Sequence, residues 1–288
     1  MVITALKKKV TTYIIDKFID ILLSPKTRMF LNPFIDITYR IYERYLFKQI
    51  TSKSVPKHIA IIPDGNRRWA KERGLNPVEG HYYGYEKMKE VIKWIYDLGV
   101  DIVTIYALSH ENCLYRSKEE LNNLFDIIKK GLIELKDQGV LDKYRVRLKV
   151  FGKLSIVRKD VVDLAKELEA LTSMYDNKFL NIAICYGGRQ EILDAIKAIV
   201  KDAMLSKIDI DRLTEDILRN YLSTSHLPSP EPDLVIRTSG ELRISNFLLW
   251  QIAYSELYFC DVYWPDFRKI DLYRAIRSYQ SRERRYGR

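Results

Sequence analysis

Residues 58–70 read His-Ile-Ala-Ile-Ile-Pro-Asp-Gly-Asn-Arg-Arg-Trp-Ala: a short apolar run breaks at Pro63-Asp64-Gly65-Asn66 and delivers Arg67, Arg68 and Trp69. A run of this kind, closed by Pro, Asp, Gly and Asn, is a strand ending in a turn. Ligands of α/β sheets bind beyond the carboxyl ends of the strands, and a glycine there lets the backbone approach an anion. A carboxylate beside two guanidinium groups would repel an anion alone, but a magnesium ion between Asp64 and a phosphate makes the arrangement attractive. A capped turn with solvated arginines would use the same residue types, so the choice between the two rests on the remaining chain.

Outward from this turn, strand-like runs recur at 101–107, 146–151, 180–185 and 233–237, with a short one over 257–260. Helical stretches at 81–98, 119–136 and 266–284 alternate with them. That alternation predicts an α/β domain over residues 57–288 with a mostly parallel sheet flanked by helices. Residues 1–56 differ, with ten lysines and arginines against four acids. Val10, Ile14, Phe18, Ile21 and Leu22 recur at helical spacing, and Ile35, Ile41, Tyr45 and Leu46 continue it after Pro33, with Pro25 and Pro33 separating two helices. A basic amphipathic extension of this kind either lies on an anionic membrane surface or packs on the core.

The 288 residues are 47% hydrophobic and 30% charged, enough for a large core, and the net charge of +10 favours anionic partners: nucleic acid, a membrane surface or a phosphorylated substrate. Cys113, Cys185 and Cys260 are odd in number, far apart and free of metal-site spacing. Neither a disulfide framework nor a zinc site is expected, and a reducing, cytoplasmic setting fits. No apolar stretch approaches the roughly 18–20 residues that span a bilayer, and no signal-peptide pattern opens the chain.

A second anion-binding pattern follows the run 233–236: Arg237-Thr238-Ser239-Gly240-Glu241-Leu242-Arg243-Ile244-Ser245. Arg237 and Arg243 are suited to grip phosphate oxygens, and Ser245 to donate at the start of a helix expected over 246–251. Two diphosphate-sized sites on one sheet imply two phosphorylated substrates, or one with phosphates at both ends. Ser109-His110-Glu111-Asn112, with Arg116 and Glu120 beyond, gathers polar groups after another strand. Glu256, between apolar neighbours, reads equally as a metal ligand or a paired core carboxylate. His81 opens a helix, either to donate to a phosphate or as a structural cap.

Taken in order, residues 58–70, Gly80-His81, Ser109 with Glu111-Asn112, Tyr186-Gly187-Gly188-Arg189, the string RTSGELRISNFLLWQ at 237–251, residues 253–259, Trp264-Pro265-Asp266-Phe267 and the terminal 282–287 resemble the ordered motifs of cis-prenyltransferases. The likeness covers about residues 57–287 and is closest in character to archaeal members. It implies a six-stranded, mostly parallel sheet and a Z-selective condensation of isopentenyl diphosphate onto an allylic diphosphate, with geranylgeranyl diphosphate the favoured primer. By this resemblance Asp64 is catalytic and organises Mg2+, with Glu256 completing the metal environment. Gly65, Asn66, Arg67, Arg68, Trp69, His81 and Arg116 bind the allylic diphosphate. Arg237, Arg243 and Ser245 hold the isopentenyl diphosphate, which Arg285 and Gly287 reach across a homodimer interface, while Ser109 and Asn112 lie near the carbon that loses its proton. Helix faces carrying Trp94, Leu98, Leu121, Leu124, Phe125 and Ile128 are candidates for the product channel.

The chain departs from the family pattern at Pro63, where Met is usual, at Pro77, where bacterial relatives carry an arginine, and at 112–116, where Asn-Cys-Leu-Tyr-Arg replaces Asn-Trp-x-Arg-Pro. The DDxxD pair of trans-prenyltransferases is missing from the sequence, and no nucleic-acid-binding motif accompanies the positive charge.

Overall fold

Strands β1 (His58–Ile62), β2 (Ile102–Tyr106), β3 (Val146–Phe151), β4 (Lys178–Ala183), β5 (Leu234–Arg237) and β6 (Glu256–Phe259) form one sheet in the order β3-β4-β2-β1-β5-β6. Every neighbouring pair is parallel. All residues of β1, β2 and β5 are buried, which is why these runs are mostly apolar instead of alternating, with His58, Thr104 and Arg237 as the polar exceptions. The computed structural model describes residues 17, 25–137 and 139–282, with side chains at residue 17 and from residue 37 on. It divides into two units, Met1–Lys53 and Ser54–Arg288.

Parallel neighbours need crossovers, which helices supply. In the second unit these are α2 (Asn66–Glu72), α3 (Pro77–Asp97), α4 (His110–Tyr115), α5 (Lys118–Asp137), α6 (Val140–Lys143), α7 (Lys159–Leu171), α8 (Gly188–Met204), α9 (Glu215–Arg219) and α10 (Lys269–Ser281). From β1 the chain adds β2, lays β3 at the edge and returns to insert β4 between β2 and β3, then places β5 and β6 on the other side of β1. Ligand crevices open where the direction of winding reverses, here beyond the ends of β1 and β5. Ile62 and Arg237 pair across that boundary, so the first turn and the second arginine cluster leave the sheet side by side.

The first unit's described helix, Pro25–Thr51, runs through Pro33 without a break. This corrects the expected division. Pro25 sits in the first turn, where no backbone donor is needed, and the loss of one bond at Pro33 does not end the helix. The face from Val10 to Leu22 lies outside the described residues. Residues 246–251 form successive turns instead of the expected helix, because Ser245, Asn246 and Leu248 have φ of 49°, 63° and 43°. Left-handed residues cannot propagate a right-handed helix. The cysteine expectation is also corrected: Cys113 and Cys185 form a disulfide across a sequence separation of 72, leaving Cys260 free.

A polar line crosses the sheet interior. The Nε2 atom of buried His58 lies 2.7 Å from Thr104 Oγ1, its Nδ1 lies 3.0 Å from the Ser229 carbonyl, and Asn181 Nδ2 donates to Thr104. Burial pushes the His58 ring from 6.5 down to about 4. A histidine with a depressed folded pKa stabilises fully above its unfolded pKa of 6.5, and the contribution is lost as pH falls through about 4. In a pH titration followed by histidine ring NMR, the His58 resonance should therefore hold its neutral position at pH 6.5, where a free imidazole is half protonated.

Candidate active site

Asp64 is held by its backbone before its side chain does anything. Its N–H donates to Ile62 O at 3.0 Å and to Thr238 Oγ1 at 2.9 Å, while its carbonyl accepts from Thr238 Oγ1 at 2.7 Å and from Trp264 N at 3.1 Å. The carboxylate accepts from Gly65 N at 2.7 Å through Oδ1 and from Arg237 Nη2 at 2.8 Å through Oδ2. Gly65 has φ of 103°, and a Cβ there would lie 2.7 Å from the Tyr263 ring and 2.8 Å from Ser239 Cβ. Only glycine makes this turn without displacing its neighbours.

Arg237 ends β5 with 4% of its side chain exposed. Its Nη1 donates to Ser245 Oγ at 2.8 Å and to the Arg243 carbonyl, so one guanidinium ties Asp64 to the Ser245 loop. Arg68 forms an ion pair with Glu241 at 3.1 Å and donates to Ser239 Oγ. Opposite, Glu120 gathers three basic groups: Arg116 Nη1 at 2.7 Å, His81 Nε2 at 3.6 Å and Arg67 Nε at 3.8 Å. Burial, seconded by the Arg116 guanidinium, pushes His81 down to about 4, so the ring is neutral near pH 7. Arg116 donates toward His81 Nε2, which places the ring's own proton on Nδ1.

These groups surround a cavity of about 1120 Å³, lined by Asp64, Gly65, Asn66, Arg67, Arg68, His81, Ser109, Asn112, Arg116, Arg237 and Ser245, with Pro77 at its margin. Ser109 caps α4 by accepting from Asn112 N at 3.0 Å. A second, apolar cavity of about 580 Å³ runs between α3 and α5, lined by Tyr85, Met88, Ile92 and Tyr96 on one side and Leu124, Ile128 and Leu135 on the other. Pro63, Asn66, His81, Ala107 and Leu124 line both cavities. The polar and apolar cavities are therefore adjacent, with these residues between them.

Three of the residues expected at the site stand elsewhere. Trp69 is buried, 4.9 Å from the Tyr83 ring and beneath Arg73, on a different face of α2 from its neighbours Arg67 and Arg68. Arg243 is 65% exposed and paired with Glu241. Glu256 opens β6 opposite Leu234, three residues before the Phe259 that pairs with Arg237, and is ion-paired with Arg282. Arg285 and Gly287 lie outside the described residues. Of the channel candidates, Leu124 and Ile128 line the apolar cavity, whereas Trp94, Leu98, Leu121 and Phe125 do not. Glu120, which the sequence grouped with Ser109–Asn112 and Arg116, and Thr238 and Glu241, which lie within the 237–245 pattern, orient the charged groups, a role the sequence did not assign them.

Residues 62–287 match the family model described as "Putative undecaprenyl diphosphate synthase". The chain belongs to the cis-prenyltransferase family. It is 50% identical over 261 residues to a tritrans,polycis-undecaprenyl-diphosphate synthase (GGDP specific) of Sulfolobus acidocaldarius, covering 91% of this chain and 97% of that protein. A counterpart named as geranylgeranyl-diphosphate specific, from Pyrococcus furiosus, is 48% identical over 88% of this chain and 96% of its own length. Among solved structures, lavandulyl diphosphate synthase from Lavandula x intermedia in complex with dimethylallyl diphosphate is 34% identical, with a TM-score of 0.78 over 83% of this chain and 100% of that one. The six-stranded parallel sheet is thus the family's fold, and the Asp64 turn sits in its crevice. A Gly65→Ala variant should keep its far-UV circular dichroism while losing about tenfold or more in kcat/KM, because a strained, displaced turn misplaces Asp64.

Proposed function

We propose that this chain condenses isopentenyl diphosphate units in Z configuration onto geranylgeranyl diphosphate, producing a long-chain polyprenyl diphosphate of the kind used as a glycosyl carrier lipid. The observation that carries this reading is the adjacency of a cavity walled by Asp64, four arginines and His81 to an apolar cavity between two helices, the two sharing lining residues. A diphosphate with a growing hydrocarbon tail needs both. The primer is taken from the names of the relatives, which specify geranylgeranyl diphosphate.

In this reading Gly65, Asn66, Arg67, Arg68, His81 and Arg116 bind the allylic diphosphate, with the His81 Nδ1–H as a neutral donor. Arg237 and Ser245 bind the isopentenyl diphosphate, joined by Arg243 when phosphate replaces Glu241 as its partner. Breaking the allylic carbon–oxygen bond develops negative charge on the leaving diphosphate, and guanidinium groups already in place stabilise that state more than the ground state. Ser109 and Asn112 stand across the cavity, where a proton leaves the new carbon skeleton. Glu256 completes the metal environment, and Arg285 and Gly287 reach the isopentenyl diphosphate across a homodimer interface.

Magnesium fits Asp64. Both carboxylate oxygens retain acceptor capacity beyond their bonds from Gly65 and Arg237. No group of three His, Cys, Asp or Glu gathers among the described residues, which suits an ion taken up with one or two carboxylates, substrate phosphates and water. When bound, it neutralises charge on the departing diphosphate.

Radiolabelled isopentenyl diphosphate should enter a butanol-extractable product with geranylgeranyl diphosphate, stop on chelation, and fall by about a hundredfold or more in Asp64→Ala. Absence of product with either geranylgeranyl or farnesyl diphosphate overturns the reading, and a preference for farnesyl diphosphate overturns the primer.

No described helix is long and apolar enough to cross a membrane. In the first unit Ile37, Ile41 and Tyr45 are 59%, 63% and 54% exposed, one helical turn apart and interleaved with Arg40, Arg44 and Lys48. This stripe supports peripheral binding at the cytoplasmic membrane face. The double variant Ile37→Ser, Ile41→Ser should lose co-sedimentation with anionic vesicles, and unchanged sedimentation counts against the contact.

A further inference from the structure

Helix α4 carries Asn112 and is capped by Ser109, yet none of its six residues is buried, and Leu114 and Tyr115 are 53% and 84% exposed. A helix this short that buries nothing has no stability of its own. Its position comes from outside. Ser109 bridges to Tyr186 as a continuation of the β2–β4 pairing, His110 N donates to Tyr186 O at 2.7 Å, and Glu111 accepts from Asn246 Nδ2 at 2.8 Å. These contacts grip the first turn. Beyond it, the attachment within α4 among the described residues is the disulfide from Cys113 to Cys185, and Arg116, which follows the helix, is held by Glu120 and His81.

The two ends of that bond differ. Cys185 is 1% exposed, between fully buried Ile184 and 1% exposed Tyr186, with a left-handed φ of 49° that sets its direction at the end of β4. Cys113 is half-buried, directly after Asn112. A sulfur fixed in the core thus holds a helix that has no apolar anchor. The Asp64 turn is secured separately, by Thr238, Trp264 and Arg237, none of which belongs to α4.

We propose that Cys113 and Cys185 are positioning residues: their disulfide holds Ser109 and Asn112 over the reacting carbon, and its reduction lowers turnover without loosening the grip on the allylic diphosphate. The inference rests on the role given above to Ser109 and Asn112. Reduction by a dithiol breaks the sulfur–sulfur bond. The reductant's two thiols supply two electrons and two protons and close into their own disulfide, leaving thiols at Cys113 and Cys185.

Alkylation of the denatured full-length protein, read by mass, should modify only Cys260 before reduction and all three cysteines after it. Three modified cysteines without reduction overturn the proposal. With dithiothreitol-treated protein, and with the Cys113→Ser, Cys185→Ser variant, kcat should fall about tenfold or more, as expected for displaced positioning groups. The Kd of a non-reactive geranylgeranyl thiodiphosphate should stay within about twofold, because the Asp64 turn, and Arg116 through Glu120 and His81, are held by contacts other than the crosslink. Unchanged kcat after confirmed reduction, or a Kd that weakens in step with kcat, overturns it.

Hydrogen exchange decides the matter independently of activity. Reduction should speed exchange at 110–115 and leave 64–72 unchanged; equal rates in both states overturn the crosslink's role. Oxidised protein inactive with every primer would instead refute the function proposed above, while the exchange result still judges the crosslink.

Discussion

The carboxyl end of the sheet depends on the ion pair between Arg237 and Asp64. Arg237 is almost fully buried, and a buried guanidinium needs a charged partner and satisfied donors. Its terminal nitrogens find partners by joining the ends of two adjacent strands, Asp64 beyond β1 on one side and Ser245 and the Arg243 carbonyl beyond β5 on the other, while the buried Nε has no hydrogen-bond partner among the described residues. Removing Asp64 leaves the guanidinium charge buried without its charged partner, a loss that typically costs about 3–5 kcal/mol. The pair thereby sets the relative positions of the two loops that must hold two phosphorylated groups.

The other basic groups of the cavity are likewise held by carboxylates. Arg67 and Arg116 face Glu120, and Arg68 faces Glu241, which Arg243 also pairs with from outside the cavity lining. Mutual repulsion among these cations is offset locally, so their positions survive without a phosphate present. An incoming diphosphate then meets donors already directed, which is where electrostatic preorganisation acquires its catalytic value. Glu120 and Glu241 belong to the site in this sense although they repel the substrate.

What the sequence discloses follows the range of each interaction. Strands buried on both faces announce themselves as mostly apolar runs, and the Asp64 turn is marked by Pro, Gly and Asn, so the sheet and its first anion site are legible locally. The pairing of Cys113 with Cys185 is not. It depends on β2 and β4 being neighbours in a register that sets Tyr106 opposite Ala183 and carries Ser109 to Tyr186. Cysteine parity and spacing contain none of that. The turns at 246–251 escaped for a different reason: three non-glycine residues take left-handed conformations that composition does not predict. Trp69 failed as a site residue because a helix turns consecutive side chains to different faces.

The polar and apolar cavities are mechanically joined through α3. A Cβ at Gly80 would lie 2.2 Å from the Asn66 carbonyl, and one at Gly84 would lie 2.3 Å from Asn66 Oδ1. Two glycines one helical turn apart therefore let the start of α2, which follows directly from the Asp64 turn, rest on the backbone of α3. Farther along, α3 presents Tyr85, Met88, Ile92 and Tyr96 to the apolar cavity. A side chain pressing on that stripe presses on the same rigid helix that supports Asn66. Packed interiors transmit such displacement because they have little free volume to absorb it. The lining of the apolar cavity and the support of the Asp64 turn thus belong to one continuous element.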